Sequence, residues 1–151
     1  MTTHAELLLQ EYAQLHQLET QGFDNDKVAC IQFEQDVEVH CQLNEQEDLI
    51  SFYTYVSPME KDVSKEALLL MLQANHFCSL TRGYTLSVSP SSNQVMLHNV
   101  MPVPGLITET FSWFIEQLAS TTREWRNFLQ TPAEETSPAA REEMFNLLRS
   151  V

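Results

Sequence analysis

Near the start of the chain, Leu8, Tyr12, Leu15 and Leu18 recur at three- and four-residue steps, with Glu11, Gln14 and Gln17 between them. That period predicts an amphipathic helix over about 3–19. Leu7 and Leu9 widen its apolar stripe beyond what one packing surface needs. Gly22 fits a helix-ending position, and Asp24-Asn25-Asp26 fits a turn. The period then falls to two. Ala29, Ile31 and Phe33 alternate with Cys30, Gln32 and Glu34, and Val37, Val39, Cys41 and Leu43 alternate with Glu38, His40 and Gln42. Two half-buried strands follow, with the short link Gln35-Asp36 suggesting a tight antiparallel hairpin. After an acidic turn at 44–48, the run LISFYTYV is apolar on both faces. Such a strand is covered on both sides or offers one side to a partner.

Pro58 closes that strand, and Ser64 or Asp62 can cap a helix over 64–77, SKEALLLMLQANHF. Ala67, Leu68, Leu69, Leu70, Met71, Leu72 and Ala74 surround its whole circumference, whereas a surface helix shows one apolar stripe. Packing on a sheet hides one side only. A second copy of the chain is the simplest cover for the other, the alternative being a further helix of the same chain. Two more strands, YTLSVS and QVMLHNV, flank a turn at Pro90-Ser91-Ser92-Asn93, and MPVPG then breaks the sheet. A long helix over 106–130 follows, its stripe drawn from Ile107, Phe111, Phe114, Ile115, Leu118, Ala119, Trp125 and Leu129. Glu109, Glu116, Arg123 and Arg126 supply polar positions, and Pro132 ends the helix. The remainder reads as a linker over 131–137 and a short helix started by Ser137-Pro138, with Met144, Leu147, Leu148 and Val151 as its apolar strip. The order is helix, three strands, helix, two strands, long helix. It indicates an α+β domain over 1–130 with a mainly antiparallel five-stranded sheet flanked by helices, and a separate tail over 131–151.

Composition sharpens this picture at the surface. Eight basic residues face 21 acidic ones, for a net charge of −13. The first 75 residues hold three of the basic and fourteen of the acidic residues, so the charge is concentrated there. Phosphate backbones and anionic membranes are repelled by such a surface, so neither nucleic acid nor membrane insertion is expected as a partner. The three cysteines Cys30, Cys41 and Cys78 lack C-x-x-C spacing, and neither a secretory signal nor a membrane span is recognisable. A reducing cytoplasm with free thiols is the expected setting.

Site chemistry is sparse. The histidines His4, His16, His40, His76 and His98 are scattered over four expected elements. The nearest approaches to other ligands, His40-Cys41 and His76-Phe77-Cys78, do not converge, so no metal site is expected. No G-x-S-x-G elbow and no glycine-rich phosphate loop is present, and the carboxylate pairs Glu134-Glu135 and Glu142-Glu143 lie in the tail. The expectation is a protein without catalytic residues or cofactor. Its apolar faces exceed one core and mark interaction surfaces. A small-molecule enzyme of unrecognised type and an acidic inhibitor or decoy of a basic protein are the alternatives.

The run EALLLMLQANHF, followed by YTLSVSPSSNQVMLHNVMPVP and a long helix ending TREWRNFL, resembles the class I type III secretion chaperones, the family of the Tir chaperone. The opening LLLQEYAQLHQLE and the turn FDNDKVAC also match, so the resemblance spans about 5–130. Its most diagnostic part is the leucine-rich helix running into Ala74-Asn75. The resemblance implies a homodimer with helix 64–77 at its two-fold interface, where Leu68, Leu69, Met71 and Leu72 take mixed core and dimer roles. It also implies binding of the N-terminal region of one or more secreted effectors in extended form, keeping them soluble and secretion-competent, with the secretion ATPase as a further partner. Leu8, Tyr12, Leu15, Phe52 and Tyr55 are the effector-patch residues this implies, and each fits a core position equally well.

Overall fold

The structure is a computed structural model and describes residues 1–33 and 36–130, together with Glu142 and Asn146. The hairpin link at Gln35 and the tail helix expected from Ser137 lie outside the described residues. Helix α1 spans His4–Leu15, strands β1, β2 and β3 span Val28–Phe33, Val37–Asn44 and Leu49–Pro58, and helix α2 spans Lys65–Ala74. A short 3-10 turn, His76–Cys78, precedes β4 (Thr85–Val88), β5 (Gln94–Pro102) and helix α3 (Thr108–Gln130). The five strands form one sheet in the order β1-β2-β3-β5-β4, and β1 with β2, β2 with β3, and β4 with β5 pair antiparallel. The α+β architecture and strand count are therefore those the alternation of residues implies.

The chain forms two compact units, one of Met1–Thr54 with Asn99–Ala119, the other of Tyr55–His98 with the segment from Ser120 onward. In the first, Thr3 caps α1 in a capping box: its hydroxyl accepts from Glu6 N–H, and the Glu6 carboxylate accepts from Thr3 N–H at 2.6 Å. The helix stops at Leu15, four residues short of the expected end. The Leu18 N–H reaches Ala13 O at 2.8 Å and the Gln17 N–H reaches Gln14 O, with Gln17 at φ 53°. This is a Schellman ending with a non-glycine residue in the left-handed position, so Gly22 is not the cap. The Asp24 turn is as expected, one carboxylate oxygen accepting from both Asp26 N–H and Val28 N–H at 2.9 Å. Inward residues of β1 and β2 (Ala29, Ile31, Val37, Val39, Cys41) are buried, and Phe111 of α3 sets its ring edge-on to both Tyr12 and Phe52. Those two contacts hold α1 and β3 against α3 inside this unit.

In the second unit Ser64 caps α2, its hydroxyl accepting from Ala67 N–H at 3.1 Å. The helix expected to reach residue 77 ends at Ala74, because the next side chain is taken by a strand. Asn75 donates to Leu86 O and accepts from Leu86 N–H, both at 2.8 Å. Leu86 pairs with Leu97 on the inner side of β4, so Asn75 closes the outward groups of an edge strand. Phe77 and Cys78 then take left-handed backbone angles, each with φ 52°. Trp125, buried in α3, donates its indole N–H to Leu80 O, and the Arg126 guanidinium donates to Tyr55 O and Val56 O at 2.7 and 2.8 Å. Both side chains satisfy carbonyls where the backbone leaves regular pairing. Two further boundaries differ from expectation. Strand β5 runs on through Met101 and Pro102, where a strand's last residue needs no donor, so the break falls at Val103. Ile107 precedes α3 and is exposed rather than part of its stripe.

Two outcomes follow for stability. Asn75→Ala leaves the outward N–H and C=O of Leu86 without their partner, and should cost about 1–3 kcal/mol, read as a lower urea midpoint at unchanged m-value. Gln17→Gly relieves a left-handed backbone that costs a side-chain-bearing residue about 1–2 kcal/mol, partly offset by glycine's freer unfolded chain, so the midpoint should rise.

Candidate functional site

Helix α2 presents an exposed apolar side. Of its residues only Met71 and Ala74 are buried, three apart and therefore on one side. Leu68, Leu69 and Leu72 share another side, at 40, 50 and 69 % exposure, and no charged residue falls between Ala67 and Phe77. Beyond the helix, Phe77 is 92 % exposed on a backbone that favours glycine. Covering apolar area returns roughly 25 cal/mol per Å2, so three leucines left in water on one helix are a standing driving force for association. Of the four residues expected at a dimer interface, the structure groups Leu68, Leu69 and Leu72 on one accessible side and assigns Met71 to the core of its own unit.

The residues expected to form an effector patch divide in the same way. Leu8, Tyr12 and Phe52 are core, and a partner cannot touch them without opening the unit that Phe111 closes. Leu15 and Tyr55 are exposed. Leu7 and Leu18 join Leu15 as exposed apolar residues of α1 and its C-terminal extension, and Trp113 of α3 is also exposed, edge-on to Phe114. Trp113 was legible: it falls off the buried stripe of α3, where a large aromatic has no packing reason to be. The outer row of β3 is only half covered, with Tyr53 stacked on His40 at 4.8 Å and 7°.

Among the described residues one thiol does meet a base, Cys30 Sγ lying 3.2 Å from His40 Nδ1, but the thiol is not activated. A cleft of about 610 Å3 is lined by Thr3, His4, Ala5, Leu43, Glu45, Asp48, Val103, Pro104 and Gly105. Its helix N-terminus is already occupied by the Thr3–Glu6 capping box, and His4 Nε2 is within 2.8 Å of Leu106 O. All three cysteines are free. Burial pushes the Cys41 thiol up, and burial with the Glu38 hydrogen bond and charge pushes the Cys30 thiol up to about 11, so neither is a ready thiolate near neutral pH. Antiparallel register nevertheless sets Cys30 opposite His40, with Glu38 beside them, a grouping that adjacent sequence positions do not show.

Comparison with known proteins places this architecture. A chain of the HopA1–SchA chaperone–effector complex superposes with a TM-score of 0.67 at 17% identity, covering 82% of this chain and 94% of that one. A chain of the ExsC–ExsE complex gives 0.69 at 17% identity, covering 85% and 96%. The Yersinia pestis type III secretion chaperone SycH, in complex with a fragment of YscM2, gives 0.62 at 14% identity, covering 80% and 98%. At such identities the likeness is one of fold. A search of curated proteins found no match. The sequence model of the Tir chaperone protein (CesT) family matches residues 7–126, most of the chain, and with the shared helix–sheet–helix fold this establishes that the protein belongs to that family.

Proposed function

We propose that this protein is a type III secretion chaperone that binds the N-terminal region of one or more secreted effectors in extended form and keeps them soluble and competent for export. The observation that carries this reading is the exposed leucine side of α2 in a chain of a chaperone family, together with the exposed apolar residues Leu7, Leu15 and Leu18 of α1 and its extension. The exposed residues of α2 and of α1 lie in separate units and take separate roles: a second copy covers Leu68, Leu69 and Leu72, and effector covers Leu15, with Tyr55 of the second unit also assigned to effector. The work is passive. A segment held extended cannot gain the burial that would fold it, and mass action sets how much is protected. Ordering a disordered partner costs about 2–5 kcal/mol or more, so a large wrapped surface is needed, and dispersed apolar residues provide footholds along it.

The net charge of −13 keeps the loaded carrier soluble and discourages wrong partners. Among the described residues no helix is long and apolar enough to cross a membrane. The cytoplasm is the proposed compartment, and the secretion ATPase is the proposed receiver of the cargo.

Capture of a secreted protein by the tagged chain in a type III-secreting bacterium tests the reading. The captured protein should lose binding when its own N-terminal region is deleted, and Leu15→Asp should reduce capture several-fold while the thermal midpoint stays within about a degree, because the side chain is exposed. Binding should persist from 0.1 to about 1 M salt, where the Debye length falls to roughly 3 Å. Loss of binding over that range, or dependence on a region other than the effector N-terminus, contradicts it.

A further inference from the structure

The β1–β2 hairpin carries a side-chain cluster that neither the fold nor effector binding requires. Cys30 faces His40 across the ladder, and Glu38, two residues before His40, shares their outward face. Cys30 Sγ lies 3.2 Å from His40 Nδ1, and His40 Nε2 lies 3.4 Å from Glu38 Oε1. The Glu38 carboxylate is near enough to Cys30 to help push its thiol pKa up. One ligand atom from each of the three residues falls within 4.8 Å of the others. We propose that Cys30, Glu38 and His40 form a binding site for a borderline-soft divalent cation, Zn2+ fitting best, on the outer face of this hairpin.

The donor set decides the class of ion. Thiolate, imidazole and carboxylate together suit Zn2+, whereas Mg2+ and Ca2+ take oxygen ligands. Tetrahedral bonds of about 2.0–2.3 Å set ligand atoms roughly 3.3–3.8 Å apart; Cys30 Sγ and His40 Nδ1 are already 3.2 Å apart, and a small turn of Glu38 brings in the third ligand from within 4.8 Å. The His40 ring is held by its stack on Tyr53, the residue opposite it on β3, which fixes the plane a metal ligand needs. Only one ring nitrogen can ligate. Nδ1 is the one beside the thiol, so the half-exposed Glu38 side chain turns from the Nε2 side toward Cys30 to complete the set. The thiol gives its proton to solvent as the Zn–S bond forms, and water fills the fourth position. Held in this way, the ion ties the edge strand β1 to β2.

Titration of the reduced, metal-free 151-residue chain with Zn2+ against a competing colorimetric chelator should give one tight ion per chain and a raised thermal midpoint. With Co2+ in its place, a near-ultraviolet thiolate-to-metal charge-transfer band should appear. Cys30→Ser should abolish the band, and Cys30→Ser and His40→Ala should each weaken Zn2+ by no less than the about 10–100-fold that loss of a supporting contact costs a metal site. Cys78→Ser should change neither readout. Because Cys30 is exposed, the serine variant keeps the fold, which an unchanged circular dichroism spectrum verifies. Absence of micromolar binding, Zn2+ affinity that survives Cys30→Ser, or a Co2+ band lost in Cys78→Ser overturns the proposal.

Discussion

Helix α2 has more apolar surface than its own unit can hide, and that excess is the constraint on which the account depends. A ten-residue helix turns Met71 and Ala74 inward and leaves Leu68, Leu69 and Leu72 in water. Exposed leucines scattered singly would carry no message, since more than half of any folded surface is apolar. Here they share one helical side without a charge among them, in a chain whose remaining surface is densely acidic. Two chains of charge −13 repel each other over most of their area, so the proposed association needs a region from which charge is missing. Helix α2 is such a region.

The backbone around that helix is fixed by a few polar side chains. Asn75 ends α2 by bonding both outward groups of Leu86, so the helix terminus and edge strand β4 are joined by one residue. Arg126 and Trp125 of α3 take up carbonyls at the end of β3 and at Leu80. Rotating α2 to turn its leucines inward would break the two Asn75–Leu86 bonds. Phe77 and Cys78 sit just beyond on left-handed backbone, a conformation that persists only where its surroundings determine it.

Period and charge made much of this legible. Alternation in β1 and β2 gave their inward residues, and the circumferential leucines of α2 announced an uncovered side before any coordinates. Legibility failed where a side chain far along the chain decides the outcome. The early end of α2 depends on Asn75 meeting Leu86, eleven residues away, and α1 ends at Gln17 because a left-handed residue need not be glycine. Leu8, Tyr12 and Phe52 could be read as surface or core from spacing alone; the ring of Phe111 between two of them decides it. The Cys30–His40 pairing needs the hairpin register, which no local pattern of five scattered histidines reveals.

Helix α2 and the exposed residues of α1 lie in separate units, so the self-association proposed for α2 can be tested without knowing a cargo. Sedimentation equilibrium at micromolar concentration should return twice the chain mass of 17.4 kDa for the natural sequence. The variant carrying Leu69→Asp and Leu72→Asp should return the single-chain mass with its melting curve retained, since both side chains are exposed within one chain. A natural chain that sediments as a monomer, or a doubly substituted chain that remains a dimer, contradicts the role assigned to α2.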